Sequence, residues 1–597
     1  MEVRDGRADE AEALSALVLR SKAHWGYDAA FLAACAPELL IRAEEVAVRR
    51  ILVAQDERGE VLGVASLEGA PPTAALGLLF VEPAAIGRGV GRLLYREVVR
   101  RAAELGVGRL VIDADPHAAG FYRTMGAAVG DDACAVRELV RFEVAPAPLP
   151  EWARAWTGGT PAVHVGNVAD FHAQFGDGEG DRERRAAADH YACLAAFSSP
   201  EPAALVLPRV VPRGWIELVG SQLGWSAVEV YDGLVGPGGG GLVDALRGRP
   251  ALLARLAETG LPWVAWGRTR ALGEVTGRAL GEGELRYESK SAAHALFAGI
   301  LARGGHPRIV LPGQWRARSR RGAVRLLRAR VRAGETTVLK SEHGVGGSGT
   351  FIVTPRRVRE AGGVRAVLRR LPRGPLLVEE YVPGPERAGA GGPRDLTVDG
   401  FVGADGRVWV VGGAVMEVRD GCYAGATVGP SVVPAWAERP LVAFGRAVGR
   451  ELADSGYRGW FDVDFVADGS GRLAPTETNL RLTGPSVAFM VAARLDALRG
   501  AGHLVRIVDR VGLGARLPEA PFDELCRELA RECAGLGAVF VPAIPTGAFE
   551  PSPWLGFLVA AHDPEVLDAA EALVRAGARR VGADFGGLEE GGAGSRR

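Results

Sequence analysis

Between residues 459 and 484 the chain reads GWFDVDFVADGSGRLAPTETNLRLTG, with four hard oxygen donors, Asp462, Asp464, Glu477 and Asn479, on either side of a DGSGR turn. Strand alternation puts Asp462 and Asp464 on one face of the first strand, and Glu477 and Asn479 on one face of the returning strand. A hairpin of that geometry brings Asp462 or Asp464 next to Glu477 and Asn479. Clustered acids repel one another unless a cation sits among them, and carboxylates with an amide oxygen suit Mg²⁺. Arg481 lies two residues further along the same face, where a guanidinium can grip a phosphate.

A second stretch, TTVLKSEHGVGGSGTFIV (336–353), places Lys340 at the end of an apolar strand, before Gly344, Gly346, Gly347 and Gly349. The chain has only three lysines, Lys22, Lys290 and Lys340. A glycine-rich hairpin can close over polyphosphate with its amides facing the oxygens, and a lysine at its base acts as a compact point charge. The lysine precedes the glycines and no GK[ST] follows, so this is not a Walker A loop; a plain hairpin with a solvated lysine is the competing reading. His343 beside the loop reads as a partly exposed loop histidine. The segment LLVEEYVPGPE (376–386) is an apolar strand ending in acids, an aromatic and a turn. It can offer backbone groups to an adenine and a carboxylate to ribose hydroxyls.

A third constellation lies near the N-terminus. LGLLFVEPAAIGRGVGRLLYREVVRRAAELGVGRLVIDAD reads as strand, loop, helix and strand, with Gly87, Gly89 and Gly91 crowding the turn before the helix. Bare amides at a helix start can hold a pyrophosphate. Leu94, Val98 and Leu105 would pack that helix onto a sheet. DPHAAGFYRTMGA (115–127) is a second strand-to-helix junction, carrying Tyr122. Glu82 is a candidate general base or an ordinary strand-end carboxylate.

The elements that must position these residues alternate between strand and helix throughout, which implies α/β and α+β domains. At 597 residues the chain exceeds a single core. Its texture divides it into 1–145, a Pro/Gly-rich linker at 146–161, then 162–285, 286–495, 496–590 and a tail at 591–597. Asp563 caps a helix that the next glycine is expected to end. A net charge of −1 gives no electrostatic reason to expect nucleic acid or a membrane surface as partner. An acidic start without an apolar core and no long apolar run imply a cytoplasmic protein without signal or span. Six scattered cysteines without a C-x-x-C pair read as buried thiols. A homodimer is a permitted assembly.

The two N-terminal segments resemble the GCN5-related N-acetyltransferase (GNAT) family over about residues 1–145. The resemblance implies acetyl-CoA as cofactor, its pyrophosphate on Arg88, Gly89, Val90 and Gly91, and Tyr122 protonating the leaving thiolate. One departure is Ile86, where the family carries Arg or Gln; this puts the domain's activity in question. Residues 286–495 resemble the ATP-grasp superfamily, with VEEYVPGPE and the E-x-N pair similar to those of D-alanine–D-alanine ligases. That resemblance implies ATP phosphates on Lys290 and Lys340, with the loop residues Gly346, Gly347 and Ser348 beside them. It further implies an adenine hinge of Glu379, Tyr381 and Val382, and ribose on Glu386 or Asp395. Magnesium would fall to Asp462, Glu477 and Asn479, with Asp464 as the alternative first ligand. Over about 160–590 the order of segments is similar to the pheganomycin-type peptide ligases, which implies a pre-ATP-grasp domain, an ATP-grasp domain and a small C-terminal domain.

The resulting expectation is a bifunctional enzyme. It is an ATP-dependent carboxylate–amine ligase that forms an acyl phosphate and releases ADP, fused to an acetyl-CoA-dependent N-acyltransferase. It would act on small-molecule or peptide carboxylates and amines in peptide natural-product biosynthesis. The competing readings are an ADP-forming acyl-CoA synthetase fused to an acetyltransferase, and a ligase whose GNAT-like domain only docks a substrate or partner.

Overall fold

The computed structural model describes residues 1–130, 139–175, 181–236, 239–344, 349–369, 375–384, 393–419 and 421–585. Their strands form four sheets. The first holds β1 (Glu2–Asp5), β2 (Ile51–Gln55), β3 (Val61–Ala70), β4 (Thr73–Val81), β5 (Arg109–Ala114), β6 (Ala128–Val129) and β7 (Val140–Val144), in the order β1-β2-β3-β4-β5-β7-β6. Its β4 and β5 run parallel and pair only where Thr73, Ala74 and Ala75 meet Arg109, Leu110 and Val111. Beyond that point the two strands splay and leave a mouth in the sheet. Helix Val90–Glu104 packs beside the mouth through Val90, Leu94, Tyr95, Val98, Val99 and Ala102. Leu105, expected on that face, is instead an exposed capping residue. Ala102 takes the inward position, one turn after Val98.

The second sheet is β10-β9-β8-β11, built from β8 (Ala162–Val165), β9 (Pro202–Val206), β10 (Glu229–Tyr231) and β11 (Trp263–Ala265). All its pairings are parallel. Its strands are short, and the two central ones, β8 and β9, are buried as parallel strands covered by helices are, while the edge strands β10 and β11 are more open. The stretch 146–161, expected as a linker, contains helix Glu151–Thr157. Trp156 packs edge-on against Phe401 and Trp460, and Trp152 against Trp460. Two tryptophans one helical turn apart make an anchoring stripe that overrides the flanking Pro and Gly.

The third sheet is β12-β15-β13-β14, from β12 (Gln314–Ala317), β13 (Thr337–Ser341), β14 (Thr350–Val353) and β15 (Leu376–Glu380), all antiparallel. The fourth has eight strands: β16 (Asp395–Val402), β17 (Val408–Arg419), β18 (Cys422–Val428), β19 (Gly459–Ala467), β20 (Leu473–Asn479), β21 (Leu504–Gly512), β22 (Val539–Ile544) and β23 (Trp554–Ala561). Their order is β20-β19-β16-β17-β18-β21-β23-β22. Residues 496–590 were expected to form a separate small domain. Instead β21 pairs with β18 from Gly425 to Val428, so the C-terminal strands extend the same sheet. Ala426 and Val428 are buried, and an unpaired edge at that position would expose backbone donors and acceptors.

Helices Lys290–Ala302 and Ala435–Asp454 cover one face of this large sheet, and helix Gly484–Arg499 covers part of the other. The final helix, Pro564–Phe585, is capped by the Asp563 carboxylate, which accepts from the amides of Glu565 and Val566. It passes through Gly577 rather than ending there. A side chain at Gly577 would meet Leu529 at 2.7 Å, so this glycine serves close helix packing, not termination. Cys193, Cys526 and Cys533 are buried, Cys35 is half-buried, and Cys422 departs from expectation by being exposed; Cys134 lies outside the described residues. Among the described residues no helix is long and apolar enough to cross a membrane.

Two arginines, Arg96 and Arg499, join the first-sheet domain to the rest of the chain, and Arg494 braces the same joint. Arg96 donates to the carbonyl of Ser221, Arg494 to those of Leu223 and Gly224, and Arg499 to those of Thr124 and Gln222. All of these carbonyls but that of Thr124, which ends helix Ala119–Thr124, lie at the C-terminal end of helix Arg213–Leu223, where backbone acceptors are unpaired and the dipole favours cations. Burial pushes Arg96 down to about 9 and Arg499 to about 10.

His164 and His503 are buried at 0% and 2% exposure. Burial pushes each down to about 4, and the Asp496 carboxylate beside His503 does not offset it. Both imidazoles are neutral in the fold, whereas unfolded histidine titrates near about 6.5. The stability that depends on keeping them neutral is therefore complete above about pH 6.5 and is lost as pH falls toward 4. Each group costs up to about 1.4 kcal/mol per pH unit in that window. The thermal midpoint should drop between pH 7 and pH 5, and the double variant His164→Gln/His503→Gln should show a shallower drop, as read by calorimetry.

Candidate functional site

The DGSGR turn closes an antiparallel hairpin of β19 and β20, in which Asp462 faces Asn479 and Asp464 faces Glu477. The register thus sets Asp464, rather than Asp462, opposite the glutamate. Asp464 and Glu477 are half-buried, while Asp462 is 2% exposed and lies deeper. The Asn479 amide donates to Asp462 Oδ1 at 2.7 Å and to Asp464 Oδ2 at 3.3 Å.

The neighbouring strand adds a further acid. Asp399 on β16 pairs in register with Asp462. It is fully buried; Trp460 Nε1 donates to its Oδ1 at 2.8 Å, and Oδ2 has no hydrogen-bond partner. Burial, reinforced by Asp464, pushes the Asp399 carboxyl up to about 8. Burial and neighbouring acids likewise raise Asp462 and Asp464 well above the ordinary carboxylate range. Asp399 was not singled out from sequence. The signal was there, since Asp395, Thr397 and Asp399 share one face of the DLTVDG strand.

Two lysines enter from other elements. Lys290 begins helix Lys290–Ala302, whose Ser289 cap accepts from the Ala292 amide. Its ammonium pairs with Glu477. Lys340 on β13 reaches Glu379 on the adjacent β15 at 2.8 Å, and Gln314 on β12 donates to the other oxygen of Glu379 at 3.0 Å. Lys290 and Lys340 are 5% and 6% exposed. Burial alone would raise Glu477, but the charges of both lysines outweigh it and hold its carboxyl low. The two ammonium groups therefore sit near one glutamate, one from the large sheet's side and one from the small sheet's.

The two lobes are tied together around them. The Lys290 amide donates to the Glu342 carbonyl at 3.1 Å, and the Glu342 carboxylate accepts from Ser289, Ser291 and, at 3.2 Å, Arg316. His343 stacks on Phe175 at 4.9 Å. Beyond β15, Arg394 lies over the Tyr381 ring at 5.5 Å, donates to the Val382 carbonyl at 3.3 Å and pairs with Asp395 at 3.4 Å. Gly346, Gly347, Ser348 and Glu386 lie outside the described residues. Arg481 pairs with buried Glu288 through Nη1 and lies over Phe171 at 5.6 Å. Glu288, also not singled out from sequence, further accepts from the Leu480 amide at 2.6 Å.

Raised carboxyls mark a surplus of negative charge that a divalent cation would offset. Among the described residues no three Asp, Glu, His or Cys side chains enclose an ion by themselves. Mg²⁺ is commonly held by one or two carboxylates with the remainder from substrate phosphates and water, and Asp464 and Glu477 fit that pattern. Asn479 would have to turn its carbonyl oxygen outward to join them.

In the first sheet, Gly89 caps helix Val90–Glu104 at φ 86°, and Gly87 stands at φ 83°. The first amides of that helix lack intrahelical acceptors. They are a fitting cradle for a pyrophosphate beside the splayed β4 and β5. Arg88 and Ile86 are exposed on the loop. Tyr122 is buried among Phe121, Phe142 and Tyr95 at centroid distances of 5.1, 5.7 and 6.2 Å. Burial pushes its phenol far up, so it holds its proton. A side chain at Gly91 would sit 3.6 Å from Phe121, which places the glycine turn and the Tyr122 helix side by side. Glu82 pairs with Arg20 at 2.7 Å. Lys22, the third lysine, pairs with Asp115, which also accepts from Tyr27 at 2.8 Å.

Residues 20–127 match the model of the acetyltransferase (GNAT) family. No curated protein matches the chain in sequence. Among solved structures, the chain is similar to an N5-carboxyaminoimidazole ribonucleotide synthetase, purK, in complex with ADP, at 13% identity and a TM-score of 0.42, over 70% of this chain and 97% of that one. It is also similar to an L-amino acid ligase from Bacillus licheniformis, at 13% identity and a TM-score of 0.35, over 59% of this chain and 86% of that one. A third is the PaiA N-acetyltransferase from Thermoplasma acidophilum in complex with coenzyme A, at 16% identity and a TM-score of 0.22, over 24% of this chain and 96% of that one.

Replacing Lys340 by Met should leave the buried Glu379 carboxylate without its cation, with only Gln314 donating to it, at a cost of about 3–5 kcal/mol. Hydrogen exchange across β13 and β15 should accelerate accordingly, and Lys340→Met/Glu379→Gln should recover most of the protection.

Proposed function

We propose that the chain is a carboxylate–amine ligase joined to an acetyl-CoA-dependent N-acyltransferase. The observation that carries the ligase reading is that two buried lysines, Lys290 paired with Glu477 of the large sheet and Lys340 paired with Glu379 of the small one, stand in two lobes joined by the Lys290–Glu342 backbone bond, beside Asp464. Phosphoryl transfer asks a protein for positioning and charge neutralisation more than for a nucleophile, and these residues supply both. ATP with Mg²⁺ would supply the phosphoryl group that turns a substrate carboxylate into an acyl phosphate, which an amine then displaces with release of phosphate.

In this reading Lys290 and Lys340 hold phosphate oxygens. The Lys340–Glu379 pair, braced by Gln314, keeps its ammonium aimed from the small sheet. Asp464 and Glu477 hold Mg²⁺, and the hinge beyond β15, with Tyr381 and Val382, receives the adenine. Glu386 or Asp395 takes the ribose. Arg481 acts as a positioning residue: locked to Glu288, it fixes the strand end that carries Asn479. In the transferase domain, the amides of Gly89, Val90 and Gly91 with Arg88 take the pyrophosphate of acetyl-CoA. Tyr122, neutral and next to that turn, donates a proton to the departing thiolate. The exposed Ile86 leaves the loop amides free to act but contributes no ion pair of its own. Peptide natural products of the pheganomycin-type ligases are the substrate class the sequence resemblance favours, in the cytoplasm.

The test is a mass-spectrometric screen of the full-length protein with mixed carboxylates and amines, MgATP, and acetyl-CoA present or withheld. An amide product formed with matching ADP and phosphate, and a second product 42 mass units heavier only when acetyl-CoA is present (about the mass of an added acetyl group in transfer by a bound thioester), are the expected results. Tyr122→Phe should cut the second product by about 10²-fold or more without touching the first. No ADP from any mixture overturns the ligase half, and no acetylated product overturns the transferase half.

A further inference from the structure

The near-zero net charge of the chain conceals a local excess. Residues 314–373 supply β12, β13, β14 and the helices Arg320–Arg332, Pro355–Glu360 and Val364–Arg369. They hold fifteen arginines and Lys340 against three glutamates and no aspartate. The whole chain has 71 basic and 72 acidic residues, so the imbalance is local and not a general shortage of acids. The three glutamates are already engaged: Glu335 with Arg330 at 3.3 Å, Glu342 with Arg316 at 3.2 Å and Glu360 with Arg356 at 2.6 Å. Arg370 and Arg373 lie outside the described residues.

Helix Arg320–Arg332 buries Ala323 and Leu327 in one core with Leu339 and Val378 of the small sheet. On its opposite side Arg321, Arg325, Arg328 and Arg332 recur at intervals of four, three and four, which aligns them within about 60° of the helix circumference. All four are exposed, and among the described residues none of them makes a side-chain hydrogen bond or an ion pair. Arg320 donates to the Leu368 carbonyl at 2.6 Å, which sets the last turn of helix Val364–Arg369 beside the start of this one. There Arg365 and Arg369 are exposed and unpaired in the same way. Like charges at i, i+4 weaken a helix, and arginines in its first turn oppose the macrodipole, with no acid in that turn to offset them. An ordinary solvated face relieves these costs by interspersing acids, and this one does not. Strand alternation puts Lys340 and Glu379 on the other face of the small sheet from Leu339 and Val378. The arginine face is therefore on the far side of the lobe from the lysine assigned to phosphate, and a nucleotide in the cleft does not account for it.

We propose that this face docks the phosphodiester backbone of a nucleic acid, without reading its sequence. The four arginines of the stripe span about 16 Å of helix. Over that length one strand of a duplex presents about five phosphates, with no opposite charge between them. A guanidinium grips each phosphate through two parallel hydrogen bonds. Acidic protein surfaces intersperse both signs and match an unrelieved row of cations less well. A lipid surface is the poorer fit too, because no large apolar side chain of helix Arg320–Arg332 is exposed to sink into it. The face lies behind the cleft, so the inference is independent of the ligase reading, and both places can be occupied at once.

The experiment is fluorescence anisotropy of a fluorescein-labelled, mixed-sequence DNA duplex titrated with the full-length protein. Six arginine–phosphate contacts should make binding weaken by about 10³-fold between about 50 mM and about 200 mM salt. The variant Arg321→Gln/Arg325→Gln/Arg328→Gln/Arg332→Gln should keep the natural thermal midpoint or exceed it, since it removes only exposed like charges. Its slope of log affinity against log salt should be shallower by about 3 to 4, and that of Arg365→Gln/Arg369→Gln by about 2. Arg527→Gln/Arg531→Gln, which removes exposed arginines from helix Glu519–Gly535, should leave the slope unchanged. No binding at low salt, or a slope untouched in the fourfold variant, would overturn the inference. So would displacement of the duplex by polyglutamate at equal charge concentration, which would assign the face to an acidic protein. Tighter binding to phosphatidylserine vesicles than to the duplex would assign it to a membrane and overturn it likewise.

Discussion

Two lysine ammonium groups buried among carboxylates set the terms for the central part of this protein. Removing such a charge from water is costly, and only close partners make it tolerable. Lys340 has Glu379, and Lys290 has Glu477. Each pair requires its two elements to stay in place: β13 against β15 in the first case, and helix Lys290–Ala302 against β20 in the second. The Ser289–Ser291–Glu342 network then ties that helix to β13. Replacing these ion pairs with apolar side chains would often leave a fold as stable or more so. Their presence at the meeting of two sheets, beside raised carboxyls, is what a phosphate-handling cleft needs and what a core does not.

One rigid element runs from these residues to the N-terminal domain. Helix Gly484–Arg499 starts at Thr483, beside the acids, and ends at Arg499, which holds the Thr124 carbonyl two residues from Tyr122. Sixteen helical residues span roughly 24 Å. Arg96 and Arg494 complete the joint by capping helix Arg213–Leu223. Guanidinium groups that donate to backbone carbonyls from three elements tie this seam together. The transferase-type domain is held as part of the molecule and not hung from a linker. The tryptophans of helix Glu151–Thr157 contribute to the same end.

Much of this was legible in the sequence, and the reasons are local. The DGSGR turn between two alternating stretches specifies a hairpin, and hairpin geometry alone relates residues 462–464 to 477–479. The glycine crowding at 87–91 before an amphipathic helix marks the N-terminal turn for the same reason. What was not legible depends on partners distant in the chain. The register that sets Asp464 against Glu477 turns on a bulge between Asp464 and Phe465. Asp399 is opposite Asp462 only because β16 inserts beside β19, and Glu288 meets Arg481 only after the chain has returned through nearly two hundred residues. Composition misled twice: Pro and Gly around 146–161 concealed an anchored helix, and Gly577 read as a stop where it is a packing contact. All three lysines in an arginine-rich chain are paired with carboxylates beside the two candidate sites, where a compact ammonium suits phosphate better than a broad guanidinium.

The central claim is that the two buried lysines are held for a nucleotide's phosphates. Calorimetry of ATP binding to the full-length protein, with and without Mg²⁺, tests it most directly when repeated on Lys290→Met. The account predicts saturable one-to-one binding that strengthens with Mg²⁺ and is lost in the variant, while acetyl-CoA binding by the same sample persists. ATP binding that is absent from the natural protein, or unchanged by Lys290→Met, would contradict it.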